Sequence, residues 1–151
     1  MQKNHVSLVL FIVVVLGIGW AIGYATLPGE WYANLQKPPF NPPNWVFGPA
    51  WTILYVLIAI AGWRVWRDDS SGGSFKLWLA QMVLNFLWSP SFFGMQRIGL
   101  GLVVITLLLL TILAFIAMAG RRDRVAAWLF VPYAAWVAFA SALNLSIWLL
   151  N

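Results

Sequence analysis

The side chains that most often carry chemistry are few in this sequence and lie outside its apolar segments. There is no cysteine and a single histidine, His5, so a thiolate metal site, a redox thiol and a histidine ligand within the apolar segments are all excluded. The 9 basic and 4 acidic residues flank the apolar runs. Ion-coupled and proton-coupled transporters normally need charged groups inside their spans, so the sequence argues against both. With no nucleophile–base or acidic pair of the usual kinds, we predict no conventional catalytic residue, no metal site and no required cofactor.

Uncharged polar and aromatic side chains remain inside the apolar runs. They are Trp51, Tyr55, Asn85, Ser89, Tyr133, Trp136 and Asn144. At 1.5 Å rise per residue, most of them lie ~6–12 Å below the membrane surface that carries residues 28–44, and Trp136 lies ~21 Å below it. Asn85 and Ser89 are four residues apart and therefore share one helix face. A cavity walled by indoles, with a few hydrogen-bonding groups, would suit a flat apolar ligand.

The elements that must position these side chains are long apolar helices. The composition is 62% hydrophobic and 9% charged, whereas a soluble domain is about half apolar and a quarter charged. A bilayer-spanning helix needs ~20 apolar residues. We therefore predict an all-α integral membrane bundle in which 1–151 form a single domain. Its five transmembrane helices are expected at about 6–27, 45–66, 75–93, 98–119 and 125–150.

The longest connection, 28–44, holds five of the eight prolines. They are Pro28, Pro38, Pro39, Pro42 and Pro43. Proline fixes φ and lacks an amide donor, so the segment is predicted to be a stiff, non-helical loop. In a five-helix bundle it would lie over the half that contains most of the polar and aromatic groups, as a lid.

The basic residues are distributed unequally between the two predicted membrane faces. One face carries seven, which are Lys3, Arg64, Arg67, Lys76, Arg121, Arg122 and Arg124, and the other carries Lys37 and Arg97. Since basic residues are enriched on the cytoplasmic side, we expect the N-terminus inside and residues 28–44 outside. The net charge of +5 is explained by this flanking pattern, and we predict a lipid bilayer rather than a nucleic acid as partner.

Some of these residues have structural interpretations as well. Seven tryptophans fall near predicted helix ends and are interpreted as interface anchors. They are Trp31, Trp45, Trp63, Trp66, Trp78, Trp128 and Trp148. Asn85 and Asn144 are candidates either for ligand contact or for hydrogen bonds that bridge helices, and the sequence leaves both interpretations open.

Motifs along nearly the whole chain resemble those of one known family. The first set is Trp31-Tyr32, Lys37-Pro38, Asn41-Pro42-Pro43-Asn44-Trp45-Val46-Phe47 and Trp51-x-x-x-Tyr55. The second is Asn85-Phe86-Leu87-Trp88-Ser89-Pro90 with Phe92-Phe93-Gly94, and the third is Pro132-Tyr133-x-x-Trp136 with Phe139-Ala140 and Leu143-Asn144. In this order they resemble the tryptophan-rich sensory protein/translocator protein (TspO/MBR) family, once called peripheral benzodiazepine receptors.

The resemblance implies a five-helix bundle, a homodimer, and binding of porphyrins such as protoporphyrin IX, of some sterols and of synthetic aromatic ligands. It implies ligand contacts from Tyr32, Trp51, Asn85, Trp88, Ser89, Trp136, Ala140 and Asn144. One departure concerns sterols. The sterol-recognition pattern of animal members places a Tyr and then a basic residue after the Leu-Asn pair, and residues 145–151 contain neither. We therefore expect sterols to bind weakly at most.

The predicted function is a membrane receptor for porphyrin-type tetrapyrroles and similar flat apolar ligands, with a sensory or regulatory role in tetrapyrrole handling or stress response. The expected location is a bacterial cell membrane, as a multi-pass protein. Three alternatives stay open. The protein could transport porphyrins or other small hydrophobic molecules, degrade porphyrin in light through Trp51 and Trp136, or serve as a structural subunit with incidental pockets.

Overall fold

The computed structural model describes residues 5–151, and every regular element in that range is helical. The predicted all-α class is confirmed. The long helices are α1 (His5–Ala25), α3 (Phe47–Asp68), α4 (Gly73–Ser89), α5 (Ile98–Ala119) and α7 (Val131–Leu150). The short ones are α2 (Glu30–Ala33) and α6 (Arg124–Leu129). A 3₁₀ turn, Asn44–Val46, leads into α3, and a π-helical turn, Pro90–Gly94, continues α4. Lys3 lies outside the described residues.

Two predicted elements differ from the structure because of local backbone chemistry. The 28–44 connection is not wholly non-helical, because α2 forms one turn before the first clustered prolines, with Ala33 N–H donating to Gly29 O at 3.0 Å. The predicted helix 125–150 is interrupted at Phe130, two residues before Pro132, whose ring nitrogen has no hydrogen to donate.

The third predicted helix, 75–93, also changes character near a proline. Regular α-helix ends at Ser89, and Pro90 begins a wider turn that closes when Met95 N–H donates to Pro90 O at 2.7 Å. Proline removes an i→i−4 hydrogen bond, and π-helical turns often lie beside functional sites. Helical backbone extends from 73 to 94, as the 17-residue α-helix α4 followed directly by the π-helical turn.

The helices pack as a ring in which α1 lies against α3, α3 against α6, and α5 between α4 and α7. The ring is closed by smaller contacts of α4 with α1 and α3. Four stretches are long and apolar enough to cross a bilayer: His5–Ala25, Asn44–Asp68, Ile98–Ala119 and Arg124–Leu150. The protein therefore has several membrane spans, and α4 is shorter than the other long helices.

At the end of the bundle away from the 28–44 loop, two tryptophans fill the core. The sequence predicted that both are interface anchors. Trp63 and Trp78 are 7% and 6% exposed. Trp78 Nε1 donates to Ile58 O at 2.9 Å, and Trp63 Nε1 donates to Ser7 Oγ at 3.0 Å. The anchor interpretation is wrong for these two because their indoles turn inward and find polar partners there. Trp45, Trp128 and Trp148, in contrast, are at least half exposed.

An ion pair ties together the turns at this same end. Arg64 of α3 donates to the carboxylate of Asp123 at 2.8 and 3.2 Å. Asp123 also caps α6, because its Oδ1 accepts the Ala126 N–H at 3.2 Å. Burial alone would raise the pKa of Asp123. The hydrogen bonds from Arg64 and Ala126 and the charge of Arg64 outweigh that effect and hold the pKa below its usual value.

Candidate ligand-binding site

A cavity of about 540 Å³ lies between α1, α3 and α4, in the half of the bundle nearest the 28–44 loop. Its walls are largely apolar and aromatic, and include Trp20, Phe47, Trp51, Phe86 and Phe93. The cavity lies where α1 and α4 make only minor contact. It is therefore a gap between α4 and the closely packed pair of α1 and α3, with both of which α4 makes only minor contact.

Trp51 and Tyr55 form one wall of this cavity. They lie one turn apart on α3, and their rings stack with centroids 5.6 Å apart at 30°. Tyr55 reaches α1 at Gly19, where even a Cβ atom would collide with its ring. The absence of a side chain at Gly19 thus allows the aromatic wall to extend from α3 to α1.

Two polar groups of the cavity, on Asn85 and Ser89, come from α4. Ser89 Oγ and the Oγ1 of Thr26, the residue that follows α1, share a hydrogen bond of 2.5 Å. Asn85 Nδ2 donates to the hydroxyl of Tyr133 on α7 at 2.7 Å. One end of the Asn85 amide thus bridges helices, as one of the two interpretations predicted, and the residue also lines the cavity. Contact between Asn85 and a ligand stays a prediction.

Trp88, together with Phe47 and Phe93, separates the cavity from a narrow crevice of about 20 Å³ between α4, α7 and the loop. Its Nε1 donates to Asn144 Oδ1 at 3.0 Å, and Asn144 Nδ2 donates to Ile98 O at 3.0 Å. Both ends of the Asn144 amide therefore bridge elements. Tyr32 and Ala140 line the same crevice.

The loop covers this crevice and is held there by aromatic contacts. Tyr32 is 3% exposed and packs edge-on against Phe92 and Phe93. Its hydroxyl donates to Asn41 Oδ1 at 3.1 Å, and the Lys37 ammonium lies 4.7 Å from its ring centroid. Burial raises the pKa of Tyr32, and the hydrogen bond to Asn41 offsets part of that rise. The phenol is therefore neutral near pH 7.

Trp136 lines neither space and lies behind Trp51. The two indoles meet edge-to-face at 89°, with centroids 6.4 Å apart. Trp136 Nε1 is buried and has no hydrogen-bond partner among residues 5–151.

The eight predicted contact residues therefore divide into three groups. The cavity is lined by Trp51, Asn85, Trp88 and Ser89; the crevice is lined by Tyr32, Trp88, Ala140 and Asn144; Trp136 supports the cavity wall from behind. Their role in ligand binding stays a prediction. Among the described residues no three His, Cys, Asp or Glu side chains come together to hold a metal ion.

Comparison with known proteins bears on this arrangement. Residues 10–149 match the TspO/MBR family. The chain belongs to this family. It is 43% identical to the tryptophan-rich protein TspO of Archaeoglobus fulgidus over 98% of this chain and 99% of that protein. It is 39% identical to the tryptophan-rich sensory protein of Cereibacter sphaeroides, covering 96% and 92%. It is also 39% identical to the translocator protein of Ovis aries, covering 86% and 82%.

The resemblance read from the motifs is thus confirmed, and family membership together with the apolar helices makes this TspO/MBR protein a multi-pass membrane protein. Sequence reasoning missed the whole contribution of α1 and of the residues that follow it to the cavity, among them Gly19 and Thr26. The predicted contact residues lie on α2, α3, α4 and α7, and none lies on α1. The one local signal was Gly19, because small residues in membrane helices mark places where another group approaches closely.

Proposed function

We propose that this TspO/MBR protein is a membrane receptor that binds porphyrin-type tetrapyrroles and similar flat apolar ligands in the cavity between α1, α3 and α4. Its output would be sensory or regulatory, in tetrapyrrole handling or a stress response. The observation that carries the proposal is the cavity of about 540 Å³ with the Trp51–Tyr55 stack as one wall. Small-molecule sites are typically mostly apolar clefts of about 300–1,000 Å³ with a few placed polar groups.

The chemistry of the lining supports a flat ligand held by its faces. Indole and phenol rings offer broad π surfaces, and stacked or edge-on aromatic contacts stabilise by about 0.5–1.5 kcal/mol beyond area burial. Neither His nor Cys lies among the cavity-lining residues, so recognition would use the macrocycle rather than a bound metal. The carboxylates of a porphyrin would stay near the loop or the lipid headgroups while the ring enters the cavity.

The main test is titration of the purified protein with metal-free and metallated porphyrins, followed by tryptophan quenching. We expect both forms to bind with affinities within about tenfold of each other, a difference of 1.4 kcal/mol. Trp51→Ala should weaken binding, and Trp148→Phe, at a half-exposed position outside the cavity, should not. Absence of binding, or equal effects of the two variants, would contradict the proposal.

We further propose five spans, with α4 and its π-helical turn, 73–94, as the additional one. This stretch has helical backbone throughout and α4 packs against α5, which is itself a span. The N-terminus is then inside, with most of the basic residues. Ser71→Cys and Asn41→Cys, made one at a time, should react with a membrane-impermeant thiol reagent from opposite sides. Reaction from the same side would refute this topology.

The homodimer implied by the family also stays a prediction. Measuring the mass of the protein–detergent particle tests it.

Light-dependent porphyrin degradation is a second candidate, favoured by the edge-to-face contact of Trp51 and Trp136 beside the cavity. An excited porphyrin oxidises a neighbouring tryptophan directly or through oxygen. Porphyrin loss should then require light and should fall more in Trp51→Phe than in Trp148→Phe. Equal loss in light and darkness would exclude it. The transport alternative is tested separately, by measuring porphyrin flux into sealed vesicles that contain the protein.

A further inference from the structure

Three polar side chains form a hydrogen-bonded chain from the cavity into the core. Asn85 Nδ2 donates to the Tyr133 hydroxyl at 2.7 Å, and that hydroxyl donates to Gln81 Oε1 at 2.7 Å. Tyr133 and Gln81 are completely buried and do not line the cavity, whereas Asn85 does. Two residues that cannot touch a ligand in the cavity are thus linked to one that can.

The single proton of the Tyr133 hydroxyl determines which way Asn85 faces. Because this proton goes to Gln81 Oε1, the hydroxyl oxygen is left to accept, and Asn85 must present its N–H₂ end. The Asn85 carbonyl oxygen makes no hydrogen bond within residues 5–151. In this arrangement the amide atom that remains for a ligand is an acceptor.

The reverse arrangement forms the same number of hydrogen bonds. If both terminal amides turn by half a rotation, Gln81 N–H donates to Tyr133, and the Tyr133 O–H donates to Asn85 Oδ1. Gln81 Nε2, which is buried without a partner in the described part of the chain, then gains one, and Gln81 Oε1 loses the partner that it had. Asn85 would then present its N–H₂ to the ligand. If only one amide turns, the Tyr133 hydroxyl lies between two N–H₂ donors or between two carbonyl acceptors, and it cannot match both. The two amides therefore turn together.

We infer that Gln81, acting through Tyr133, makes Asn85 a reversible hydrogen-bonding group, so that the cavity recognises flat apolar ligands bearing either an N–H donor or a C=O acceptor at this point. The inference rests on the proposed function, since it concerns a ligand in the same cavity. Gln81 and Tyr133 are positioning residues here, and Asn85 makes the contact.

Three tricyclic ligands of one shape provide the test: carbazole, which carries an N–H donor; fluorenone, which carries a C=O acceptor; and fluorene, which carries neither. Purified wild-type protein should bind both carbazole and fluorenone about three- to tenfold more tightly than fluorene, the range expected for one net hydrogen bond. Asn85→Leu should remove both advantages. Comparing ligands on the same protein sample cancels any change in the fraction that is folded.

Gln81→Met is the decisive variant. The Tyr133 proton then loses its acceptor on Gln81 and turns to Asn85 Oδ1, which leaves the Asn85 N–H₂ facing the ligand. Fluorenone should keep its advantage over fluorene, and carbazole should lose its own. If carbazole keeps its advantage in Gln81→Met, the inference is wrong.

Tyr133→Phe is a second arm that does not depend on the folding of Gln81→Met. Without the hydroxyl, Asn85 turns freely, so carbazole and fluorenone should both keep an advantage, and adding Gln81→Met should change neither. Loss of only one advantage would show that other neighbours orient Asn85, and would overturn the inference. Wild-type protein that binds all three ligands equally would overturn it too while leaving the proposed cavity intact. Failure to bind even fluorene would contradict the cavity itself.

Discussion

The two halves of this bundle use the same residue type in opposite ways. Near the 28–44 loop, Trp51 stands beside a cavity of about 540 Å³. At the other end, Trp78 fills the space between α3 and α4, with its ring against Gly62 and its Nε1 bonded to Ile58 O. A tryptophan-rich membrane helix therefore need not be lined by pockets. Whether an indole encloses space or fills it depends on what the facing helix places opposite.

The first prediction concerns the filled half and has the largest expected effect. Gly62→Ala would place a Cβ atom inside the space of the Trp78 indole, which its hydrogen bond to Ile58 O holds in position. Overpacking of this kind destabilises by about 1–3 kcal/mol, so we expect a clear fall in melting temperature in detergent.

Gly23→Ala is the matched control, because nothing lies within 4 Å of the Cβ it would add. Alanine is the better helix former by about 1 kcal/mol, so this variant should melt at the same temperature or higher. Equal melting of the two variants would mean that the Trp78 end is not tightly packed.

The second prediction addresses the open half. Trp51→Ala removes one wall of the cavity, so porphyrin affinity should fall by about tenfold or more, which is at least 1.4 kcal/mol. Trp136→Ala removes the support behind that wall, and should lower the melting temperature with a smaller loss of affinity. Titration and thermal melting on the same samples separate the two effects. If Trp136→Ala weakened binding more than Trp51→Ala, the assignment of wall and support would be reversed.

The third prediction concerns the partition between cavity and crevice. Trp88→Phe keeps an aromatic ring but removes the Nε1 hydrogen bond to Asn144 Oδ1. One such bond contributes about 1 kcal/mol, and the Asn144 carbonyl would be left without its donor. We expect the melting temperature to fall by a few degrees. We also expect the affinity to change for ligands that are too large for the cavity alone and would extend into the crevice. An unchanged melting temperature would show that the partition is not held by this bond.

The fourth prediction concerns pH and the ion pair in the filled half. The folded-state pKa of Asp123 is held below its ordinary value of 3.8, so the carboxylate stabilises the fold above that pH, and this contribution is lost as the pH falls through the lower value. Asp123→Asn should therefore lower the melting temperature at pH 7 and flatten its dependence on pH below about 4. Asp68→Asn, at the more exposed pair with Arg122, should do less. Identical pH profiles for wild type and Asp123→Asn would contradict the assignment.

The smallest expected effect is at His5, the exposed first residue of α1. It lies outside the lining of both the cavity and the crevice. His5→Ala should leave porphyrin affinity unchanged, whether the porphyrin is metallated or not. A loss of tenfold or more would mean that an imidazole takes part in binding, and that the ligand lies outside the cavity.

Composition and local pattern were sufficient for part of this account. Long apolar runs predict helices, because a backbone in lipid must satisfy its own hydrogen bonds, and the all-helical fold follows from that constraint. The three sets of motifs, from Trp31 to Tyr55, from Asn85 to Gly94 and from Pro132 to Asn144, were together sufficient to place the chain in its family. Depth could also be estimated, because each residue advances a helix by a constant rise of about 1.5 Å.

The tertiary structure alone decided which of these side chains share a space. Depth places a residue along one helix, whereas its neighbours depend on how that helix is rotated and which helices stand beside it. Trp63 and Trp78 lie near helix ends, yet they turn into the core. Trp136 lies behind Trp51 rather than beside the cavity, and α1 contributes a wall although no residue on it was predicted. Rotation and neighbourhood result from packing between segments far apart in the chain, and the one local signal for them in this sequence was Gly19.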